Sequence, residues 1–143
     1  MNLTENFTLE ELIESQTATR FGINNNPSQA VKNNLTVLAE GLEKVRKLLG
    51  HPMLITSGFC CMELNRKIGG SDKSAHMMGY AADFVCPKFG TPKQIVDLIK
   101  KNGIQLDQCI EEGTWVHISF APAMRNQFLK ATFRNGKAQY STL

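Results

Sequence analysis

Val31, Leu35, Leu38, Leu42, Val45 and Leu49 recur at steps of three and four residues, which gives one apolar face to a long helix. Gly50 follows the last of them as a C-cap, and Pro27 suits the first turn. A second helix carries Ile95, Val96, Leu98 and Ile99 inward. Thr91-Pro92 with Gln94 opens it as a capping box, and Asn102-Gly103 stops it. Shorter helices are predicted from the Thr8/Glu11 capping box through about Ser15, and over Met62 to Lys67. Elsewhere the period shortens to that of strands. Pro52 to Thr56 is a short buried strand, and Tyr80 to Val85, apolar with small residues, carries Asp83 on another. Trp115 to Phe120 alternates, with His117 and Ser119 on one face and Val116 and Ile118 on the other. Asn135-Gly136 between Ala131–Phe133 and Ala138–Tyr140 marks a hairpin. The stretch around His76 is predicted as a loop that Gly79 allows to turn tightly.

These elements make one α+β domain over residues 1–143, with helices packed on one side of a small, largely antiparallel sheet. A chain of 143 residues can bury roughly two-thirds of its unfolded surface. The net charge of +3 and pI near 8.7 suit an anionic partner such as a bacterial cell wall, and are too weak to argue for nucleic acid. No apolar run reaches membrane-spanning length. The start, Met1 to Asn6, lacks the basic and apolar regions of a secretory signal. Cytosolic synthesis as a monomer is therefore expected, with a separate route of release if the substrate lies outside. Cys60, Cys61, Cys86 and Cys109 show no C-x-x-C spacing, so free and mostly buried thiols are expected.

The chemistry concentrates in Ser74–Asp83 and Glu111–His117. The first brings a His and an Asp seven residues apart across a glycine; the second ends an acidic and then apolar run on a His. The chain has three histidines, and two of them fall here. Two imidazoles and a carboxylate are the ligands of a catalytic zinc site, which keeps a fourth position open. A neighbouring carboxylate then acts as the base. By spacing alone, His76 could equally be a surface histidine and Asp83 a strand-end carboxylate.

The pattern S-x-H-x-x-G-x-A-x-D followed by W-x-H resembles the zinc peptidases of the M15 family, which include D-Ala-D-Ala carboxypeptidases and small phage endolysins. Phe7–Leu12, Ser15–Ala18, Ile55–Phe59, Glu63–Arg66, Gly69–Ser71, Asp107-Gln108 and Phe133–Gly136 resemble the short phage-type branch. The resemblance implies a Hedgehog/DD-peptidase-like fold, Zn2+ on His76, Asp83 and His117, and a peptidoglycan stem peptide as substrate. It also implies an endolysin released through a membrane lesion, or a virion-carried wall hydrolase. In that branch the base lies six residues before the last histidine, which selects Glu111. Alternation along an extended strand would put 111, 113, 115 and 117 on one face, with Glu112, the alternative, pointing away. Trp115 would wall the pocket, or be a core aromatic. Ser74 would bond the substrate or a ligand's outer partner, or be an ordinary loop serine.

One departure bears on specificity. Relatives commonly read Ser-Gly-Tyr-Arg-Ser where this chain has Ser57-Gly-Phe-Cys-Cys61, and a thiol at 60 cannot make a bidentate ion pair with a terminal carboxylate. That leans toward an endopeptidase, unless Lys73 or Arg66 supplies the charge. Two other readings remain: a non-catalytic zinc-containing binding module of the same fold, and a thiol hydrolase using Cys60 or Cys61. The latter leaves the His76, Asp83 and His117 pattern unexplained. His51, at a helix end, is expected at a cap or on the surface.

Overall fold

A computed structural model of the chain describes residues 1–71 and 74–143. Among the described residues, five helices and six strands follow one another: α1 Leu9–Ile13, α2 Gln16–Arg20, α3 Gln29–Leu49, β1 Leu54–Ser57, α4 Met62–Lys67, β2 Ala81–Val85, α5 Pro92–Lys101, β3 Gln108–Glu111, β4 Val116–Ser119, β5 Gln127–Arg134 and β6 Lys137–Thr142. A 3-10 turn, Ala75–Met78, precedes β2.

The long helix is α3. Ser28 caps it by accepting the Val31 N–H at 3.3 Å, so the helix starts after Pro27, which lies outside its first turn. Gly50 ends it in the left-handed conformation. The expected α5 is present with its capping box, Thr91 and Gln94 each bonding the other's backbone N–H. The helix expected from Thr8 to Ser15 is split. Its capping box is present, but the chain becomes extended at Glu14, and Ser15 accepts the Ala18 N–H at 3.1 Å to start α2.

The strands form one sheet in the order β1-β2-β4-β3-β5-β6, antiparallel except for the parallel pair β3–β5. Side chains directly opposite one another across a strand pair share a face, so the register sorts the sheet. Phe84 lies beside Val116, and Val116 beside Glu111, in a row on one face. Leu35, Leu38, Leu42 and Val45 of α3 and Ile95 and Ile99 of α5 pack into one core with Phe84, Val116 and Ile118, all fully buried or nearly so. Each such side chain is worth roughly 1.5–3 kcal/mol of burial. A small second cluster, Ala18, Cys60 and Leu64, joins α2 and α4 beside the β1 edge.

Ser57, Asp83, His117 and Ile110 are partners in the adjacent row, on the opposite face. A β-bulge between Ile55 and Ser57 shifts the β1 register and brings Ser57 level with Asp83. The chain after Ser57 then crosses this face toward the 3-10 turn.

Candidate metal centre

Asp83 and His117 face each other across β2 and β4, and His76 comes over them from the 3-10 turn. Oδ1 of Asp83 lies 2.9 Å from Nδ1 of His117 and 3.3 Å from Nε2 of His76. One donor atom from each of the three residues lies within 4.8 Å of the others. The imidazoles meet edge to face, their centroids 5.1 Å apart. A tetrahedral zinc with bonds near 2.0–2.2 Å spaces its donors by about 3.4 Å. The spacing found here is close to that, and the N,N,O donor set suits zinc.

The position of His76 is set by several contacts. Ser74 caps the turn by accepting the His76 N–H at 3.2 Å, and it also lines the cleft in front of the site. The Cys60 N–H donates to the His76 carbonyl at 3.2 Å. Nδ1 of His76 lies 2.7 Å from the Gly58 carbonyl oxygen, so it donates there and leaves the Nε2 lone pair toward Asp83. Residue 58 must be glycine: a Cβ there would lie 2.2 Å from the Leu12 carbonyl oxygen, because this segment runs directly against α1. Gly79 closes the turn at φ +77°, tight against Val31 and Leu35 of α3. The stretch expected as a loop is thus a short, capped turn.

A buried asparagine secures the other side. Asn25 donates from Nδ2 to the carbonyls of Ile13 (2.8 Å) and Phe59 (2.9 Å), and its Oδ1 accepts the Cys61 N–H (2.8 Å). It joins the end of α1 to the segment that holds His76. Nothing in the local sequence pattern marks Asn25 for this part.

The two glutamates part company. Between β3 and β4 the chain reverses at Gly113-Thr114, and the Glu112 N–H donates to the Trp115 carbonyl at 3.0 Å. Alternation from 111 to 117 therefore does not apply, because those residues are not on one strand. Ile110 pairs with His117, which puts Ile110 and Glu112 on the metal face and Glu111, beside Val116, on the helix-covered face. The expectation that Glu111 shares the face of His117 is corrected on this ground. Lys93 of α5 carries the electrostatic influence of Glu111, whereas Glu112 interacts with His117, Asp83 and His76.

Burial opposes ionisation of Asp83, yet hydrogen bonds from His117 and His76 outweigh it and hold the carboxyl at about 2. Burial likewise opposes charge on His76, but the bond to Asp83 raises its pKa above the ordinary value. Burial raises the pKa of Glu112, and the charge of Asp83 acts in the same direction against the pull of the two imidazoles.

Glu112, His117, Ile110, Ser74, Arg125 and Tyr140 line a cleft of about 340 Å³. A larger cavity of about 530 Å³ lies between α1, α2 and β1, with Ser57 and Cys60 in its wall; none of His76, Asp83 and His117 lines it. The smaller cleft is the one that reaches the cluster, through His117. Trp115 is half-buried on the His117 face and packs against Phe133 at 6.3 Å, beside the cleft and not in its lining.

All four cysteines are free, and Cys60, Cys86 and Cys109 are buried. Cys61 caps α4, its sulfur accepting the Leu64 N–H. Burial and the nearby Asp83 raise the Cys60 thiol, which disfavours the thiolate that a nucleophile needs. Arg66 is exposed on α4 and lines neither cavity; Lys73 lies outside the described residues. Among the described residues, Arg125 is the cation that lines the cleft. Its Nε and Nη2 both donate to buried Asp107 at 2.9 Å, and Asp107 also takes the Arg125 N–H and the Ser119 hydroxyl. His51 is exposed and stands apart from the cluster.

An α+β domain whose His-Asp-His cluster borders a cleft is compatible with the class of metallohydrolases. The sequence profile described as Peptidase M15 matches residues 5–119, and the chain belongs to that family of peptidases. No curated protein matches the sequence. Among the described residues no helix is long and apolar enough to cross a membrane.

Proposed function

We propose that this chain is a zinc-dependent endopeptidase of peptidoglycan stem peptides, with His76, Asp83 and His117 as ligands and Glu112 as the base. The observation that carries the reading is a cluster of three zinc-type donors, one of which, His117, lines a cleft together with the half-buried Glu112. A zinc ion held by the three would supply Lewis acidity to the attacking water and the scissile carbonyl. The protein's own residues do the rest. Asp83 stays ionised between the two imidazoles, and Gly58 keeps His76 in the tautomer that presents Nε2. Glu112 takes the proton from the water that attacks the carbonyl carbon, then gives it to the nitrogen of the breaking C–N bond. Trp115 supports the wall of the site by holding the β3–β4 turn against Phe133.

The substrate class is supported by the family and by the basic net charge, which suits an anionic wall. Cys60 supports cleavage inside the stem, because a buried thiol cannot pair with a terminal carboxylate. A wall hydrolase of the endolysin kind, made as a soluble monomer and acting after release, fits this reading.

The test is digestion of defined muropeptides by the zinc-loaded protein, with products identified by mass spectrometry. Cleavage within the stem, lost in Glu112→Gln, is the expected result. Release of terminal D-Ala would make the enzyme a carboxypeptidase. A protein that holds one zinc and binds muropeptides without cutting them would be the non-catalytic module.

A further inference from the structure

The profile match ends at residue 119, at the close of β4, yet the sheet continues through β5 and β6. That hairpin places one aromatic over the cleft. Leu129 pairs with Ile110, and Tyr140 pairs with Ala131, so all four lie on the face that carries His117. Ala131 is small and leaves room for the phenol to lean across Leu129 toward the site. Tyr140 lines the same cleft as Glu112 and His117. The residue remains 56% exposed, and no hydrogen bond joins its hydroxyl to another described residue. A half-exposed tyrosine adds little to the core. A rigid aromatic body with a free donor at its tip is what peptide-binding clefts use.

We infer that Tyr140 is a substrate-contacting specificity residue whose ring walls the cleft that Glu112 and His117 also line, and whose hydroxyl donates to a backbone carbonyl of the bound peptide. Burial and the nearby carboxylates of Glu112 and Asp83 raise the phenol's pKa, which keeps it a donor through neutral pH. The inference rests on the reading of this cleft as the peptide site. It adds that the hairpin beyond the family's matched region sets how tightly the peptide is held.

The experiment compares Tyr140→Phe, Tyr140→Ala and Gln139→Ala in the zinc-loaded full chain. Gln139 is the neighbour on the opposite face. With a muropeptide that the wild type cleaves, KM should rise about 3-fold in Tyr140→Phe and about 10-fold in Tyr140→Ala, with kcat within about 3-fold. Gln139→Ala should match the wild type, and the melting temperature should not move. A second measurement does not need turnover: calorimetric titration of the same muropeptide into Glu112→Gln with and without Tyr140→Ala. Weakened binding there supports the inference even if the wild type proves inactive. Unchanged KM and unchanged binding overturn it while leaving the peptidase reading intact. Absence of both cleavage and saturable binding overturns both.

Discussion

The two faces of one sheet have opposite tasks. On one, Phe84, Val116 and Ile118 are sealed under α3 and α5; on the other, one residue along each strand, Asp83 and His117 stand half-buried with Glu112 at the rim. The packed face fixes the backbone, and the register then brings Asp83 opposite His117 without any contact between the two being needed to fold the sheet. The lesson is that a strand's period of two separates stability from chemistry at single-residue resolution. It also means that an error of one residue in register exchanges the two roles.

Glu111 and Glu112 give the sharpest comparison. Glu112→Gln should lower kcat by about 10²–10⁴-fold, the range for removal of a general base, with zinc content unchanged. Glu111→Gln, beneath α5, should cost less than about 3-fold. Steady-state kinetics beside metal analysis measures both. The reverse ranking would mean that the face assignment has no bearing on the base.

Phe84 and Asp83 make the next pair. Phe84→Ala opens a hole among α3, α5 and the sheet and should cost about 3–5 kcal/mol in urea unfolding, while the fraction that folds still takes up zinc. Asp83→Ala should abolish stoichiometric zinc binding yet alter metal-free stability by no more than about 1–2 kcal/mol. Equal losses from the two would erase the division between the faces.

Much of this was legible in the sequence, for identifiable reasons. The α3 stripe, the α5 capping box and the Asn135-Gly136 turn are local signals, and each element formed where its signal lay. The grouping of His76, Asp83 and His117 was legible only because the motif is spaced like that of a known family; nothing local says that β2 lies beside β4. The face of Glu111 was misjudged because Gly113-Thr114 sits between two acidic and apolar runs that also read as one extended strand. Asn25 and the Asp107–Arg125 pair escaped notice because their partners lie 12 to 36 residues away, and a buried polar knot has no periodicity. Tyr140 was seen as part of a hairpin, but its place over the cleft depends on the parallel β3–β5 pairing, which sequence alone did not predict.

Asn25 stands where the two faces are tied together, and its removal should touch both. Asn25→Ala leaves two carbonyls and one N–H without their partner, at about 1–3 kcal/mol of stability in urea unfolding. The Gly58 carbonyl that orients His76 lies in the same segment, so zinc affinity should fall as well, by about 10-fold, as expected for loss of outer support. A stability loss with unchanged zinc affinity would show that Gly58 is held by α1 alone.

The smallest effect, and the one that isolates the metal face, comes from pH. In the metal-free protein the Asp83 contribution is present above its unfolded value of 3.8 and is lost as pH falls toward about 2. His76 has a raised pKa, so its contribution is complete below 6.5 and fades as pH climbs through the folded value. Metal-free stability should therefore be greatest between about pH 4 and 6.5 and decline gently above. Zinc needs the same imidazole deprotonated, so its stabilising increment should run the other way and grow from pH 5 to 8. Thermal melts with and without zinc across that range measure both slopes. In Asp83→Asn the decline of metal-free stability above pH 6.5 should vanish, because the imidazolium no longer has its partner. Persistence of that decline would place its source somewhere other than the His76–Asp83 pair.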